Sequence, residues 1–248
     1  MKLGLHIILL NCFFLSCIGN ANAISEKDSL LTLVKKTSEI NKKIDLLNEL
    51  SWIVYNENPE EAKKYGLQSL DLCSKTDYPE GFSEALNKMG VYEKVTGNYD
   101  EALKYYKQSQ ELSIRSNDSA GLCIVISNIA NVYKNKGDYD IALKKLMEAL
   151  KLNEKLGLKK GEADALLNIG LIYDDLGKKD MAISYLTRSL KIAQEKDDKE
   201  RTSRALLNIA NILSEGNAED MRKSLEYFNM AYLIKKENRR QKRYGHNI

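Results

Sequence analysis

The stretch that decides the fold is LLNIGLIYDDLGKKDMAISYLTRSL, residues 166–190. Blocks like its Leu-Asn-Ile-Gly recur every 40 residues, at 87–90, 127–130, 167–170 and 207–210. A fixed period of this length is typical of an array of similar supersecondary units. Five units fit the chain, over residues 40–76, 80–116, 120–156, 160–196 and 200–236.

Each unit is predicted to hold two antiparallel helices. Apolar residues recur at intervals of three and four, as amphipathic helices require. A glycine near the middle of the unit suits the left-handed cap that ends a helix, at Gly97, Gly137 and Gly177. An aspartate follows each turn, where we expect it to accept hydrogen bonds from amides at the start of the second helix, at Asp100, Asp140 and Asp180.

Small residues recur where neighbouring helices have to cross. On the first helix they are Ser51, Gly90, Ala130, Gly170 and Ala210. On the second helix they form pairs seven residues apart, Ala62/Ser69, Ala102/Ser109, Ala142/Ala149, Ala182/Ser189 and Ser224/Ala231. Small side chains let helix backbones approach closely, so the pattern predicts stacked helix pairs rather than one closed core.

These residues resemble the tetratricopeptide repeat family. Segment 166–190 carries the family's succession of Leu, Gly, Tyr, Gly, Ala and a small residue, and the resemblance covers roughly residues 40–236. It implies an all-α fold, a right-handed α-solenoid of about five helix-turn-helix repeats. Units of 40 residues are longer than the family's usual 34. They are similar to kinesin light chain-like and bacterial regulator arrays.

The two ends of the array are predicted to differ. Residues 24–39 are expected to form a capping helix, because EKDSLLTLVKKTS at 26–38 has an amphipathic pattern. Residues 237–248 are expected to form a basic tail with no polar capping helix before it. Two interpretations remain open there: the last helix caps itself, or the gene is a shortened relative of a longer one.

The first 23 residues are predicted to be an export signal. An apolar run follows Met1-Lys2, and Ala21-Asn22-Ala23 suits signal peptidase. The alternative is a lipoprotein box at 14–17, with lipidation of Cys17. An uncleaved membrane anchor is the third interpretation, although about 20 apolar residues are usual for a span. We therefore expect an exported protein, periplasmic or associated with the cell envelope.

The composition argues against catalysis, cofactors and nucleic acid. Histidine occurs only as His6 and His246, and no phosphate-binding or zinc-binding motif is present. The formal charge of +3 is concentrated in the last 14 residues, so no basic face is expected on the array. Cys73 and Cys123 are predicted to be buried thiols rather than a disulfide. Trp52 and the tyrosines are assigned to packing.

The candidate site is a row of asparagines. Asn128, Asn168 and Asn208 hold one place in three successive units, and Asn131 and Asn211 follow one turn later. The family resemblance implies that first helices line a concave face, where these amides can bond the backbone of an extended peptide. Bonds to carbonyls within the array are the competing interpretation. Lys134, with Lys88 and Lys94, is expected to add positive charge, opposed by Asp174, Asp175 and Glu215.

The predicted function is a non-enzymatic scaffold or adaptor that binds a protein or peptide segment in the concave groove. A membrane is expected as a partner only through a lipid anchor or an uncleaved leader. The rival hypothesis is a truncated or stand-alone sensory region of a bacterial signal-transduction regulator, of the histidine kinase or transcriptional regulator type. The family's carboxylate clamp is not matched, since the equivalent places hold Asn87, Ser127 and Leu167.

Overall fold

The computed structural model describes residues 26–244, and the predicted export signal with Cys17 lies outside them. Eleven α-helices and no strand occur in this part of the chain. The first, α1, spans 26–36. The others are α2 Ile40–Val54, α3 Pro59–Cys73, α4 Pro79–Val95, α5 Tyr99–Arg115, α6 Ser119–Lys136, α7 Tyr139–Leu156, α8 Lys159–Asp175, α9 Lys179–Glu195, α10 Lys199–Leu213 and α11 Ala218–Tyr244. The all-α repeat fold is confirmed.

The chain divides into two compact units. The first ends at Gly121 and the second begins at Leu122, so the boundary falls inside α6. In the first unit α2 contacts α3, and α4 contacts α5. In the second, α8 contacts α9 and α10 contacts α11. Each of these pairs is one helix-turn-helix repeat.

The predicted capping helix α1 covers the first repeat. Leu30 is buried in a cluster with Leu47 and Leu50 of α2 and Tyr65 of α3. At the rim Lys27 Nζ lies 2.7 Å from Glu61 Oε2. Both side chains of this pair are half-buried, so apolar burial and the ion pair together hold α1 in place.

The small residues are buried where the helices cross, as predicted. Every member of the first-helix set and of the five second-helix pairs is buried. A Cβ atom added at Gly170 would lie 2.8 Å from Leu186 Cγ, so the glycine lets that leucine pack closely against the α8 backbone. Two of the small residues are serines that form hydrogen bonds at the crossing. Ser51 Oγ donates to Ala62 O at 2.9 Å, and Ser224 Oγ donates to Ala210 O at 2.8 Å.

The turns confirm the glycine prediction and place the aspartates in the first turn of the second helices. Gly97, Gly137 and Gly177 have φ between +70° and +86°. The second helices begin one residue before each aspartate, so the cap residues are Asn98, Asp138 and Lys178, none of which makes a side-chain cap bond. The aspartates thus lie in the first turn, where their charge still favours the positive end of the helix dipole.

The C-terminal end also differs from expectation. Helix α11 continues to Tyr244, so the predicted tail from residue 237 is helical over the part that the structure describes. Lys199 Nζ of α10 lies 3.2 Å from Glu237 Oε1 and ties this extension to the last repeat. Residues 218–244 contain no Gly or Pro, so nothing in their composition breaks the helix.

Candidate functional site

The asparagine row lies on three first helices of the second unit. We define the asparagine face by its six predicted residues, Asn128, Asn131 and Lys134 of α6, Asn168 of α8, and Asn208 and Asn211 of α10. Helices α8 and α10 contact each other directly, so their equivalent positions are neighbours. The 40-residue period repeats one surface chemistry along these helices.

The amides on this face differ in whether the chain itself uses them. Asn208 Nδ2 donates to Arg204 O one turn earlier, at 2.9 Å. Asn128 also has an interaction within the chain. The side chains of Asn131, Asn168 and Asn211 make no hydrogen bond to any residue between 26 and 244, and each is at least partly exposed. Those three amides therefore present donors and acceptors to solvent.

Charge at one end of the asparagine face is balanced rather than positive. Lys134 Nζ lies 3.9 Å from Asp175 Oδ2. Burial, together with the charges of Asp175 and Glu215, raises the pKa of Asp174 above its ordinary value. Glu215 in turn accepts from Lys179 Nζ at 2.8 Å. The predicted lysine is thus paired with one member of an acidic cluster and is not a free cation that could hold a carboxylate group.

An ion-pair network that sequence reasoning did not identify flanks the same face. The guanidinium of Arg201 on α10 holds Asp164 of α8 through two bonds, Nε–Oδ1 at 3.1 Å and Nη2–Oδ2 at 2.6 Å. Its Nη1 also donates to Asp198 Oδ2 at 2.8 Å. Arg204 approaches Asp164 at 3.6 Å. The sequence signal for this network was the pair of opposite charges at equivalent positions of adjacent repeats, Asp164 and Arg204.

Trp52 was assigned to packing, and that assignment is wrong. Trp52 lies on α2 in the first unit, and 48% of it is exposed to solvent. The indole stacks on Tyr55 with ring centroids 5.0 Å apart, and Lys88 Nζ lies 4.6 Å above it. Lys88 is engaged further by Glu84 at 3.2 Å. Trp52 follows the small residue Ser51, so its place on the helix points away from the crossing.

The other expected lysine is not an open cation either. Lys94 is half-buried, and burial lowers its pKa. Elsewhere in the first unit, a surface cavity of about 660 Å³ lies between α1, α2 and α3. Leu47, Leu67 and Leu72 supply apolar lining, and Lys43 and Lys64 are among its polar residues. This cavity is open and mixed in character.

No grouping of the described side chains suggests metal or thiol chemistry. Residues 26–244 contain no histidine, and they hold no group of three potential metal ligands. Cys73 and Cys123 are buried and form no disulfide, as predicted. Burial raises the pKa of the Cys73 thiol to about 11, which disfavours the reactive thiolate. Across the same range, no helix has the length and apolar content needed to cross a bilayer.

The family model for the tetratricopeptide repeat matches residues 81–155, 121–195 and 161–237. These overlapping matches cover more than half of the chain and follow its 40-residue period. The chain belongs to the tetratricopeptide repeat family. No curated protein sequence matches it.

Solved structures with the same fold are distant in sequence. BtubC (BKLC) from P. vanneervenii is 17% identical with a TM-score of 0.66, over 88% of this chain and 90% of that one. A Rap protein complexed with competence and sporulation factor is 16% identical with a TM-score of 0.73, over 91% and 72%. Aspartyl phosphate phosphatase F from Bacillus subtilis is 15% identical with a TM-score of 0.70, over 86% of this chain and 59% of that one. These likenesses show the fold, a series of packed helix-turn-helix repeats.

Proposed function

We propose that the asparagine face binds an extended segment of a partner protein in the bacterial cell envelope. The observation that carries the proposal is the set of three amides, Asn131, Asn168 and Asn211, that have no hydrogen-bond partner within residues 26–244. A carboxamide both donates and accepts, as a peptide backbone does. Repeated amides therefore suit recognition of a main chain with little dependence on its side chains.

The charge balance limits which segments of a partner the asparagine face can bind. Because Lys134 and Lys179 are paired with Asp175 and Glu215, the face lacks the free cations that would hold a C-terminal carboxylate or an acidic motif. Direct hydrogen bonds contribute roughly 1 kcal/mol each, so three amides alone give modest affinity. Apolar contacts beside them, such as half-buried Leu171 on α8, are expected to supply the remainder.

The envelope assignment rests on residues 1–23 of the sequence. Export predicts that the mature chain begins after Ala23, whereas lipidation predicts a mature chain that begins at Cys17 and carries acyl groups. Intact mass of the protein purified from its native host distinguishes these outcomes. A chain that keeps Met1 and fractionates with the cytoplasm would contradict the proposed location.

A sensory role is the second candidate. Its support is that Rap structures share the fold, one of them complexed with competence and sporulation factor. A sensory region is expected to change state when its ligand binds, whereas an adaptor holds its partner without such a change. Hydrogen exchange of the partner-bound and free chain separates them, since a sensor should show altered protection in helices remote from the asparagine face.

The direct test compares the unaltered chain with Asn131→Ala/Asn168→Ala/Asn211→Ala after mild crosslinking in the native envelope and affinity capture. The proposal predicts that one partner is enriched by the unaltered chain and lost with the triple variant. Thr187→Ala is the control, because Thr187 is an exposed polar residue on α9 outside the asparagine face. Equal recovery of the same proteins by all three chains, with unchanged circular dichroism, would reject the asparagine face as the binding surface.

A further inference from the structure

Helix α11 leaves a stripe of apolar side chains uncovered. The α11 stripe consists of Met221, Leu225, Phe228 and Tyr232, whose spacing of four, three and four places them along one line of the helix. Leu225 and Tyr232 are 64% and 61% exposed, Met221 is 52% exposed, and Phe228 is half-buried. Contiguous exposed apolar surface of this kind marks an interaction site more often than isolated exposed residues do.

The repeat register identifies what such a stripe normally contacts. The small pair Ser224/Ala231 of α11 corresponds to Ala182/Ser189 of α9, which aligns Leu225, Phe228 and Tyr232 with Ile183, Leu186 and Leu190. In α9 those three residues join a cluster with Ala205, Ile209 and Ile212 of the following helix, α10. Leu186 there is fully buried.

The same arrangement occurs one repeat earlier. Leu143, Leu146 and Leu150 of α7 hold the equivalent positions, and they cluster with Ala165, Leu166 and Ile169 of α8. Twice within the second unit, then, this line of a second helix is covered by the apolar face of the next first helix. On α11 the equivalent surface is formed but no helix among residues 26–244 covers it.

The charges beside the stripe indicate which kind of helix fits. Arg222, Lys235, Lys236 and Arg240 are exposed along its borders. Lys236 Nζ lies 5.9 Å from the centre of the Tyr232 ring. Arg222, Lys235 and Arg240 form no ion pair within the described chain, whereas Glu219 and Glu237 are already engaged by Lys223 and Lys199. The border is therefore positive.

We propose that the α11 stripe is a docking site for an amphipathic helix of another protein, with acidic residues flanking its apolar face. The apolar complement follows from the covering helices α8 and α10, and the acidic flanks follow from the unpaired cations of α11. A second copy of the same stripe would instead bring like charges together, which is unfavourable. This site is separate from the asparagine face and does not depend on the proposed function.

Two helices of the chain itself provide matched probes. Fluorescein-labelled peptides of residues 159–175 and 199–215 both carry a face that covers such a stripe within the array. The first has four carboxylates against two lysines, a net charge of −2, and the second has three cations against two carboxylates, a net charge of +1. Titration of the full chain into each peptide, followed by fluorescence anisotropy, compares them at low and high salt.

The 159–175 peptide is expected to bind about tenfold more tightly than the 199–215 peptide at roughly 50 mM salt, with the difference shrinking at roughly 500 mM as charges are screened. Leu225→Gln should weaken binding about tenfold, because it removes one large apolar contact without changing charge. Leu233→Gln is the control. Leu233 lies on the same helix at 61% exposure, about 100° around from Tyr232.

Four results would overturn the proposal. The first is no binding of the 159–175 peptide up to about 1 mM, and the second is tighter binding of the 199–215 peptide. The third is an equal loss of affinity in Leu225→Gln and Leu233→Gln, and the fourth is unchanged affinity of the 159–175 peptide for Leu225→Gln. Two further assays test the other occupants. Loss of anionic phospholipid vesicle binding in Leu225→Gln, with neither peptide bound, would assign the stripe to a membrane surface. A dimer that Leu225→Gln converts to monomer in sedimentation velocity would assign it to a second copy.

Discussion

Replacing Tyr106 by Phe is expected to stabilise the protein, against the usual direction of core substitutions. The Tyr106 ring is fully buried in the first unit and lies under Gly90, where an added Cβ would be 2.5 Å from Tyr106 Cε1. Its hydroxyl has no hydrogen-bond partner among the described residues. Tyr106→Phe keeps the ring contacts and removes the buried, unpaired group.

The magnitude follows from two opposing contributions. A buried hydroxyl without a partner costs about 1–3 kcal/mol. The small void left by the oxygen loses a few dispersion contacts of about 0.1–0.2 kcal/mol each. The free energy of unfolding should therefore rise by roughly 0.5–2 kcal/mol, or a few degrees in Tm for a chain of this length.

Tyr65 provides the matched control within the same unit. Its residue is also buried, but its hydroxyl donates to Glu61 Oε1 at 2.9 Å. Tyr65→Phe should therefore lower the free energy of unfolding by about 1 kcal/mol, because a satisfied bond is lost. The opposite signs of the two Tyr→Phe changes separate the hydroxyl's effect from a general effect of the substitution.

Urea unfolding followed by circular dichroism measures both variants, at pH 7 and at pH 10.5. Burial raises the pKa of Tyr106, so the folded state keeps its proton. Its contribution to stability is complete below the unfolded value of about 10 and falls as the pH rises above that value, while Phe is unaffected. The advantage of Tyr106→Phe should thus grow at pH 10.5. A variant less stable than the unaltered protein by more than about 1 kcal/mol would refute the reasoning.

Three further predictions concern the repeat architecture. Gly170→Ala should lower the unfolding free energy by about 1–3 kcal/mol in urea titrations, despite the better helix propensity of alanine, because its Cβ meets Leu186 Cγ at 2.8 Å; a neutral or stabilising effect would contradict this close crossing. Asn117→Gly and Asp197→Gly should each raise the free energy of unfolding by roughly 0.5–1 kcal/mol, and Tm with it. Both residues have positive φ, 56° and 49°, and the equivalent position in the repeat between them is Gly157, with φ 67°. An unchanged Tm would show that the turns are unstrained. Arg201→Met should lower the free energy of unfolding by roughly 1–3 kcal/mol, because it removes the bonds to Asp164 and Asp198. Lys75→Met, in an exposed pair with Asp71, should lower it by less than about 0.5 kcal/mol. Similar losses would mean that the Arg201 network is no stronger than a surface pair.

The sequence predicted the repeat because its period, small residues and glycines report directly on helix crossings and turns. Ala142, Gly170 and Gly177 each have one physical role, so their places could be read without a structure. The turns at Asn117 and Asp197 were missed, because asparagine and aspartate also occur in ordinary loops and only their φ reveals the left-handed cap. The prediction assigned residues 237–248 to a basic tail, whereas helix α11 continues to Tyr244.

The candidate site was less predictable than the fold. The period places Asn131, Asn168 and Asn208 on one face, but whether each amide is used internally depends on side-chain geometry that no pattern encodes. Asn208 bonds Arg204 O, whereas Asn168 bonds no described residue. Trp52 was misassigned for a related reason. Tryptophan is usually largely buried, but Trp52 follows the buried residue Ser51 and therefore lies on a more exposed side of α2.

Site-specific photo-crosslinking tests the central claim that the asparagine face holds a partner segment. A photoreactive amino acid replaces Asn168 on α8, and in a second chain it replaces Thr187, an exposed residue on α9 outside the asparagine face. After irradiation in the native envelope, mass spectrometry identifies the attached peptides. The account predicts adducts to one extended segment of one partner from position 168 and none of these from position 187. The same adducts from both positions, or adducts from 187 alone, would contradict it.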